Sequence, residues 1–310
     1  MNRRAALPLY ALALLLWSLV IGIPNDTVGV IGWLWLGTVA WRAGEPGVDH
    51  REFWRDWWPF VLALVVYWLG RGLADQIGTP VHVTMPIRAD EWLAGLVGAD
   101  RTPTEVLQAA WCAEPCAKAL PPRWWDTVLT TVYASHFVAA LTLGAVLWVR
   151  DHSGPMSEWR RWMRRFVTLN FLGLASYAAY PMAPPWMASR DGFLGEVARI
   201  TGRGWSELDL HRQNIVLHGM ANKVAAMPSL HAGFAFLIAF YAIWRLQTRW
   251  RWLLLAYPLA MSTALVYFAE HYVIDAVAGA AAALAAIALG TLWERRRVLP
   301  RAEEPAAQLV

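Results

Sequence analysis

Two short stretches of this chain hold ionisable residues in an otherwise apolar background, Pro228-Ser229-Leu230-His231-Ala232-Gly233 and Glu270-His271-Tyr272-Val273-Ile274-Asp275. In the second, His271 and Asp275 stand four apart, so a helix beginning near Tyr272 turns both onto one face. There the carboxylate holds the imidazole in one tautomer and stabilises its cation. In the first, Pro228 and Ser229 spell a helix start, which puts His231 beside unpaired backbone N–H groups and the positive end of a helix dipole. Phosphoryl transfer needs a nucleophile, an acid for the leaving group and positive charge on the phosphoryl oxygens. One histidine held by a carboxylate and one at an anion-attracting helix end suit that chemistry. His231 and Asp275 both fall in the first turn of apolar helices, where ionisable residues are costly and usually functional.

The elements that must position these residues are membrane helices. Of 310 residues, 57% are hydrophobic and 16% charged, against about 25% charged in soluble domains, and the deficit falls in long apolar runs. Composition therefore predicts an all-α polytopic membrane protein of about eight transmembrane helices. The runs are 7–23, 27–41, 58–73, 127–149, 166–181, 227–244, 252–268 and 272–293, each near the ~20 residues a span requires. The second is short and interrupted by glycines. No small-x-small cleavage site follows the first, so it reads as an uncleaved helix. Many of the 21 tryptophans flank run ends (Trp41, Trp57, Trp58, Trp124, Trp125, Trp148, Trp244, Trp252, Trp293), as interfacial rings do; a dense aromatic core is the alternative. The +4 net charge sits beside apolar segments rather than on a soluble basic face, which excludes a nucleic-acid partner.

With a cytoplasmic N-terminus, 17 of the 27 Lys and Arg residues fall on the inner side, in keeping with the positive-inside rule. Both termini are then cytoplasmic, and both histidine motifs meet on the outer face of the cell membrane. Two long outer segments follow, 74–126 and 183–226. The first carries a short helix near 104–111 and both cysteines, Cys112 and Cys116, as a small-loop disulfide or as two thiols. The second is amphipathic, with Arg190, Arg199, Arg203, His211, Arg212, His218 and Lys223 placed to meet an anionic lipid head group; a merely solvated loop is the alternative. Residues 1–57 form an N-terminal hairpin, 58–299 the catalytic membrane domain, and 300–310 a disordered tail.

Pro-Ser-x-His followed by His-x-x-x-Asp resembles the second and third signatures of the type 2 phosphatidic acid phosphatase superfamily. Tyr180-Pro181-Met182-Ala183-Pro184-Pro185-Trp186 narrows the resemblance to the branch that includes the fungal inositol phosphorylceramide synthases. The likeness spans roughly residues 126–293. It implies a six-helix catalytic bundle and a phosphohistidine mechanism with no cofactor, in which His271 attacks phosphorus, Asp275 orients it and His231 protonates the leaving oxygen. The chain departs from the family at its phosphate clamp. The first-signature Lys and Arg slots hold Gly173 and Tyr180, and the Ser-Arg before the third motif is Ala264-Leu265. Such a site suits a phosphodiester better than a dianionic monoester. Lys223, one of only two lysines, together with Arg190, Arg212 and Tyr180, is a candidate phosphate contact. Ser229 either donates to a phosphate oxygen or caps its helix, and the two are compatible.

The expected reaction is transfer of a phosphoryl-linked head group from a lipid substrate to an alcohol or polyol acceptor. The alternatives are a lipid phosphate monoesterase of the same superfamily and a non-catalytic lipid-binding or transport protein. Two histidines and a carboxylate also match a metal-binding facial triad, but only Glu270 adds a ligand type nearby, so no metal is expected.

Overall fold

The structure, a computed structural model, describes residues 1–24, 27–208, 212–213 and 222–298, without the side chains of residues 137, 207, 208, 212, 213 and 298. The expected disordered tail and His211 and His218 lie outside the described residues. All eight apolar runs coincide with helical segments. In chain order the α-helices are α1 (Arg3–Val20), α2 (Thr27–Trp41), α3 (Arg51–Ala74), α4 (Thr84–Gly95), α5 (Pro103–Trp111), α6 (Trp124–Arg150), α7 (Glu158–Ala179), α8 (Pro185–Arg190), α9 (Leu230–Arg245), α10 (Ala256–Tyr267) and α11 (Val273–Val298), of which α4, α5 and α8 lie outside the runs. The seventh run divides, because a 3-10 turn at Arg249–Leu255 precedes α10. Among the described residues the one sheet is a parallel pairing of Ile23–Pro24 with Arg212–Gln213.

Among the described residues, length and apolarity qualify three helices to cross a membrane, at Arg3–Val20, Arg51–Ala74 and Val273–Arg297, and a fourth if the two halves of α6, bent by 52°, make one span. The expectation of eight independently long spans is thus reduced. α2 and α9 are apolar but short, and α7 opens on Arg160, Arg161, Arg164 and Arg165. The interfacial reading of the tryptophans also needs correction at two positions. Trp57 and Trp148 are fully buried with Trp159 and Trp162. Trp57 stacks on Phe53 at 4.7 Å, and Trp148 Nε1 donates to Asp56 Oδ2 at 2.9 Å. Each of these rings ends a helix but points inward, so it fills space between α3, α6 and α7. Trp41, Trp58, Trp124, Trp244, Trp252 and Trp293 are exposed, as expected of interface rings.

The bundle is organised around α11, which packs on α9 and α7, while α6 packs on α7, α9 and α10. α9 and α11 cross where Gly233 faces Gly279. A Cβ at Gly279 would stand 2.5 Å from the Ser229 carbonyl oxygen, so only glycine lets the two backbones touch. At one end of the bundle Glu294 of α11 takes the buried Arg165 in two hydrogen bonds of 2.7 and 3.1 Å, with Arg164 at 3.1 Å. Both histidine motifs lie at the opposite end, at the starts of α9 and α11.

The segment between α3 and α6 folds over that second end. Thr102 and Glu105 make a capping box with Pro103 at the first helical position of α5, the pattern that starts helices. Cys112 and Cys116 form a disulfide. Beside it Arg203, 1% exposed, donates to both oxygens of the fully buried Asp126 at 2.8 and 2.7 Å and to Tyr267 Oη at 2.7 Å. Gln108 ties this layer to Ala198 and to the carbonyl of Tyr267.

Candidate active site

α10 ends in a left-handed turn at Ala269 (φ 58°), where the N–H groups of both Glu270 and His271 return to the Leu265 carbonyl. That turn delivers His271 to the mouth of α11. His271 Nδ1 lies 3.2 Å from Asp275 Oδ2, which also accepts the Tyr272 N–H at 3.0 Å. An ionised carboxylate only accepts hydrogen bonds, so with Asp275 ionised Nδ1 is the donor of this contact and Nε2 keeps its lone pair. Asp275 is fully buried, and its backbone carbonyl accepts from Ser229 N at 3.0 Å. One residue therefore orients the first histidine and joins the two motif helices.

The start of α11 has a second carboxylate. Asp90 of α4, fully buried, accepts from Val273 N at 2.9 Å and Ile274 N at 3.1 Å, satisfying two of the unpaired N–H groups that every helix start exposes. Burial pushes its carboxyl up to about 6, against the pull of these two N–H groups and with a further push from Asp275. Asp90 thus caps the start of α11 from more than 180 residues away.

On α9, Ser229 Oγ accepts from Ala232 N and is fully buried, so of its two possible roles the capping one is observed. His231 stacks on Tyr133 at 4.8 Å between ring centroids, with the His136 ring at 4.0 Å and the His271 ring at 5.8 Å. Both motif histidines thus line the same cavity. His136 Nδ1 bonds the Tyr133 carbonyl at 2.9 Å, at the bend of α6.

His231, His271 and His136 line one cavity of about 480 Å³, together with Arg71, Arg199 and Lys223. Glu270 lines it too, but Arg199 donates to both its oxygens at 2.8 and 3.0 Å, and Thr201 donates to one of them. Of the predicted phosphate contacts, Lys223 is brought to the cavity. Tyr180 is not among its lining residues and stacks on His82 at 3.7 Å. Arg190 pairs instead with Asp191 at 2.7 Å. The Arg212 side chain lies outside the described residues. The first-signature slot Gly173 has no room for a lysine, since a Cβ there would meet Leu230 at 2.9 Å, and Ala264 and Leu265 are fully buried core residues.

Sequence reasoning missed Arg71, His136 and Asp90. His136 and Arg71 carried a signal, an ionisable residue inside an apolar run. Asp90 carried none, because it acts on residues far away in the chain. Among the described residues no group of three His, Cys, Asp or Glu side chains converges as metal ligands.

A family model described as the PAP2 superfamily matches residues 117–289. The chain belongs to the PAP2 superfamily. The resemblance to the superfamily drawn from the motifs is thereby borne out, and the relatives below are consistent with the expected branch. The inositol phosphorylceramide synthase catalytic subunit aur1 of Schizosaccharomyces pombe is 28% identical over 150 residues, 46% of this chain and 35% of its own. The phosphoinositol dihydroceramide synthase of Bacteroides thetaiotaomicron is 26% identical over 204 residues, 62% of this chain and 65% of its own. The inositol phosphorylceramide synthase of Candida albicans is 25% identical over 158 residues, 47% of this chain and 31% of its own. The match thus spans about a third of each fungal relative and just under two thirds of the bacterial one. No solved structure gives a significant match. In this PAP2 protein the matched segment holds both histidine motifs and leaves out α1 to α5.

Proposed function

We propose that the protein is an integral membrane lipid phosphotransferase that moves a phosphoryl-linked polyol from a phospholipid donor to a lipid alcohol through a phosphohistidine. The observation that carries this reading is the pairing of His231 with the Asp275-held His271 in one cavity edged by cations. His271 Nε2 attacks phosphorus and forms the P–N bond as the P–O bond to the donor's diacylated alcohol breaks. His231 gives that leaving oxygen its proton, then takes a proton from the acceptor hydroxyl as it attacks the phosphohistidine and releases His271. Asp275 stabilises the imidazolium that develops on His271. The acceptor class follows the names of the relatives, which are synthases of inositol phosphorylceramides.

Transfer rather than hydrolysis is favoured by what the family's clamp slots hold. Gly173, Tyr180, Ala264 and Leu265 stand there in place of cations, which suits a singly charged phosphodiester better than a dianionic monoester, and a site that fixes an alcohol in place selects it over water as acceptor. The catalytic end lies opposite the Arg165–Glu294 end of the bundle. With the arginine-rich end in the cytoplasm, the site opens on the outer face and both termini are inside.

Purified protein in detergent, given labelled phosphatidylinositol with and without a long-chain alcohol, tests the reading. A phosphoenzyme should form with wild type and be absent from His271→Ala. The His231→Ala variant should lose far more rate with an alkoxide leaving group than with nitrophenolate. Equal losses would refute the general-acid role, and acceptor-independent release of inorganic phosphate from a lipid monoester at full rate would refute transfer.

A further inference from the structure

A phosphodiester in the cavity needs cations that the family's usual slots do not supply. Of the three cations that line it, Arg199 is committed to Glu270 through two hydrogen bonds. Glu270 is the one carboxylate among the lining residues, so none remains to neutralise another cation. Arg71, in the last turn of α3, makes no ion pair among the described residues. Lys223 is exposed at the rim.

Arg71 and Lys223 are fastened to each other. Asn222, 5% exposed, donates from Nδ2 to the Arg71 carbonyl at 3.2 Å and accepts the Val224 N–H on Oδ1 at 2.9 Å. That amide straddles Lys223 and holds its turn against the end of α3. The neighbouring Gly70 sets the depth: a Cβ there would lie 2.9 Å from Leu174, so α3 presses on α7 one residue from Gly173. Arg71 therefore enters the site from beside the position where a lysine on α7 has no room.

We propose that Arg71 is a phosphate-binding residue of the reaction, forming with Lys223 a two-cation clamp that Asn222 positions. The inference rests on the phosphotransferase reading above, and it makes α3, outside the segment matched to the family, part of the active site. Arg71 presents a planar fork of N–H donors suited to two oxygens of one phosphoryl group, whereas Lys223 offers a point charge. Two cations near a diester's single negative charge leave the group bound but still attackable.

The test is the affinity of the full-length protein in detergent for inorganic phosphate, read by protection of the site against a histidine-modifying reagent, alongside phosphoenzyme trapping. Arg71→Gln should weaken phosphate binding about 10- to 100-fold, the loss expected for a charge-assisted contact. Arg71→Lys should restore part of that loss. Asn222→Ala should weaken binding by less, with Asn222→Asp, which lacks the donor to Arg71, no better. Thermal unfolding of each variant distinguishes lost binding from lost fold. Unchanged phosphate affinity in folded Arg71→Gln overturns the clamp even if the phosphoenzyme forms. Arg71-dependent affinity without any phosphoenzyme overturns the phosphohistidine reading and leaves the clamp in place.

Discussion

Gly279→Ala isolates the placement of the two histidines from their chemistry. The new methyl carbon would lie 2.5 Å from the Ser229 oxygen and 3.1 Å from Gly233 N. Bringing the first distance to the 3.4 Å of ordinary contact needs a movement of about 0.9 Å between α9 and α11. A misplacement near 1 Å at a reacting centre costs up to about 100-fold in rate. Stability should fall by about 1–3 kcal/mol from the overpacked backbone contact, offset in part by the roughly 1 kcal/mol of helix propensity that alanine gains over glycine. The shift separates His231 from His271 but leaves the His271–Asp275 pair within α11 intact. The rate of lipid transfer should therefore fall about 100-fold, and that with a nitrophenolate leaving group, which needs no acid, by less than about tenfold. Both rates and the unfolding midpoint would be measured in detergent. A folded variant with full lipid activity, or with equal losses on both substrates, would show that the close crossing does not set the acid's position.

Four further outcomes follow. Asp90 has a folded pKa of about 6, above the ~3.9 of an unfolded aspartate. Its contribution is present below about pH 4 and is lost as pH rises through about 6, a loss of at most ~3 kcal/mol. Asp90→Asn should remove that part of the stability-versus-pH slope in thermal unfolding, and an unchanged slope would count against the assignment. Asp126→Asn strands the buried Arg203 and should cost about 3–5 kcal/mol, with Asp126→Asn/Arg203→Met recovering much of it. Reducing the Cys112–Cys116 loop should cost up to about 2 kcal/mol on chain-entropy grounds, seen as a lower unfolding midpoint in dithiothreitol. Single cysteines at positions 189 and 248, in a background with Cys112 and Cys116 replaced, should label in intact cells only at 189; labelling at 248 alone would reverse the orientation.

The chain's own letters determined the pairing of His271 with Asp275 and the helices. The i,i+4 spacing of His271 and Asp275 is local, so the helical period alone brings them together, and the Ser229 cap needs only its own first turn. The apolar runs likewise announced all eight helical segments, because hydrophobic length is read one segment at a time. Which runs are long enough to span independently was less legible, since α7 carries its arginines inside the helix rather than before it. Tertiary structure decided what surrounds the chemistry. Asp90 caps α11 across 183 residues, Arg71 meets Lys223 through Asn222, and Glu270 withdraws Arg199 from the pool of free cations. None of these pairings has a sequence period, because each depends on how separate helices pack. Arg190 and Arg199 look alike along the chain, but Arg190 pairs with its sequence neighbour Asp191, and only the packing sends Arg199 to Glu270 and the cavity wall.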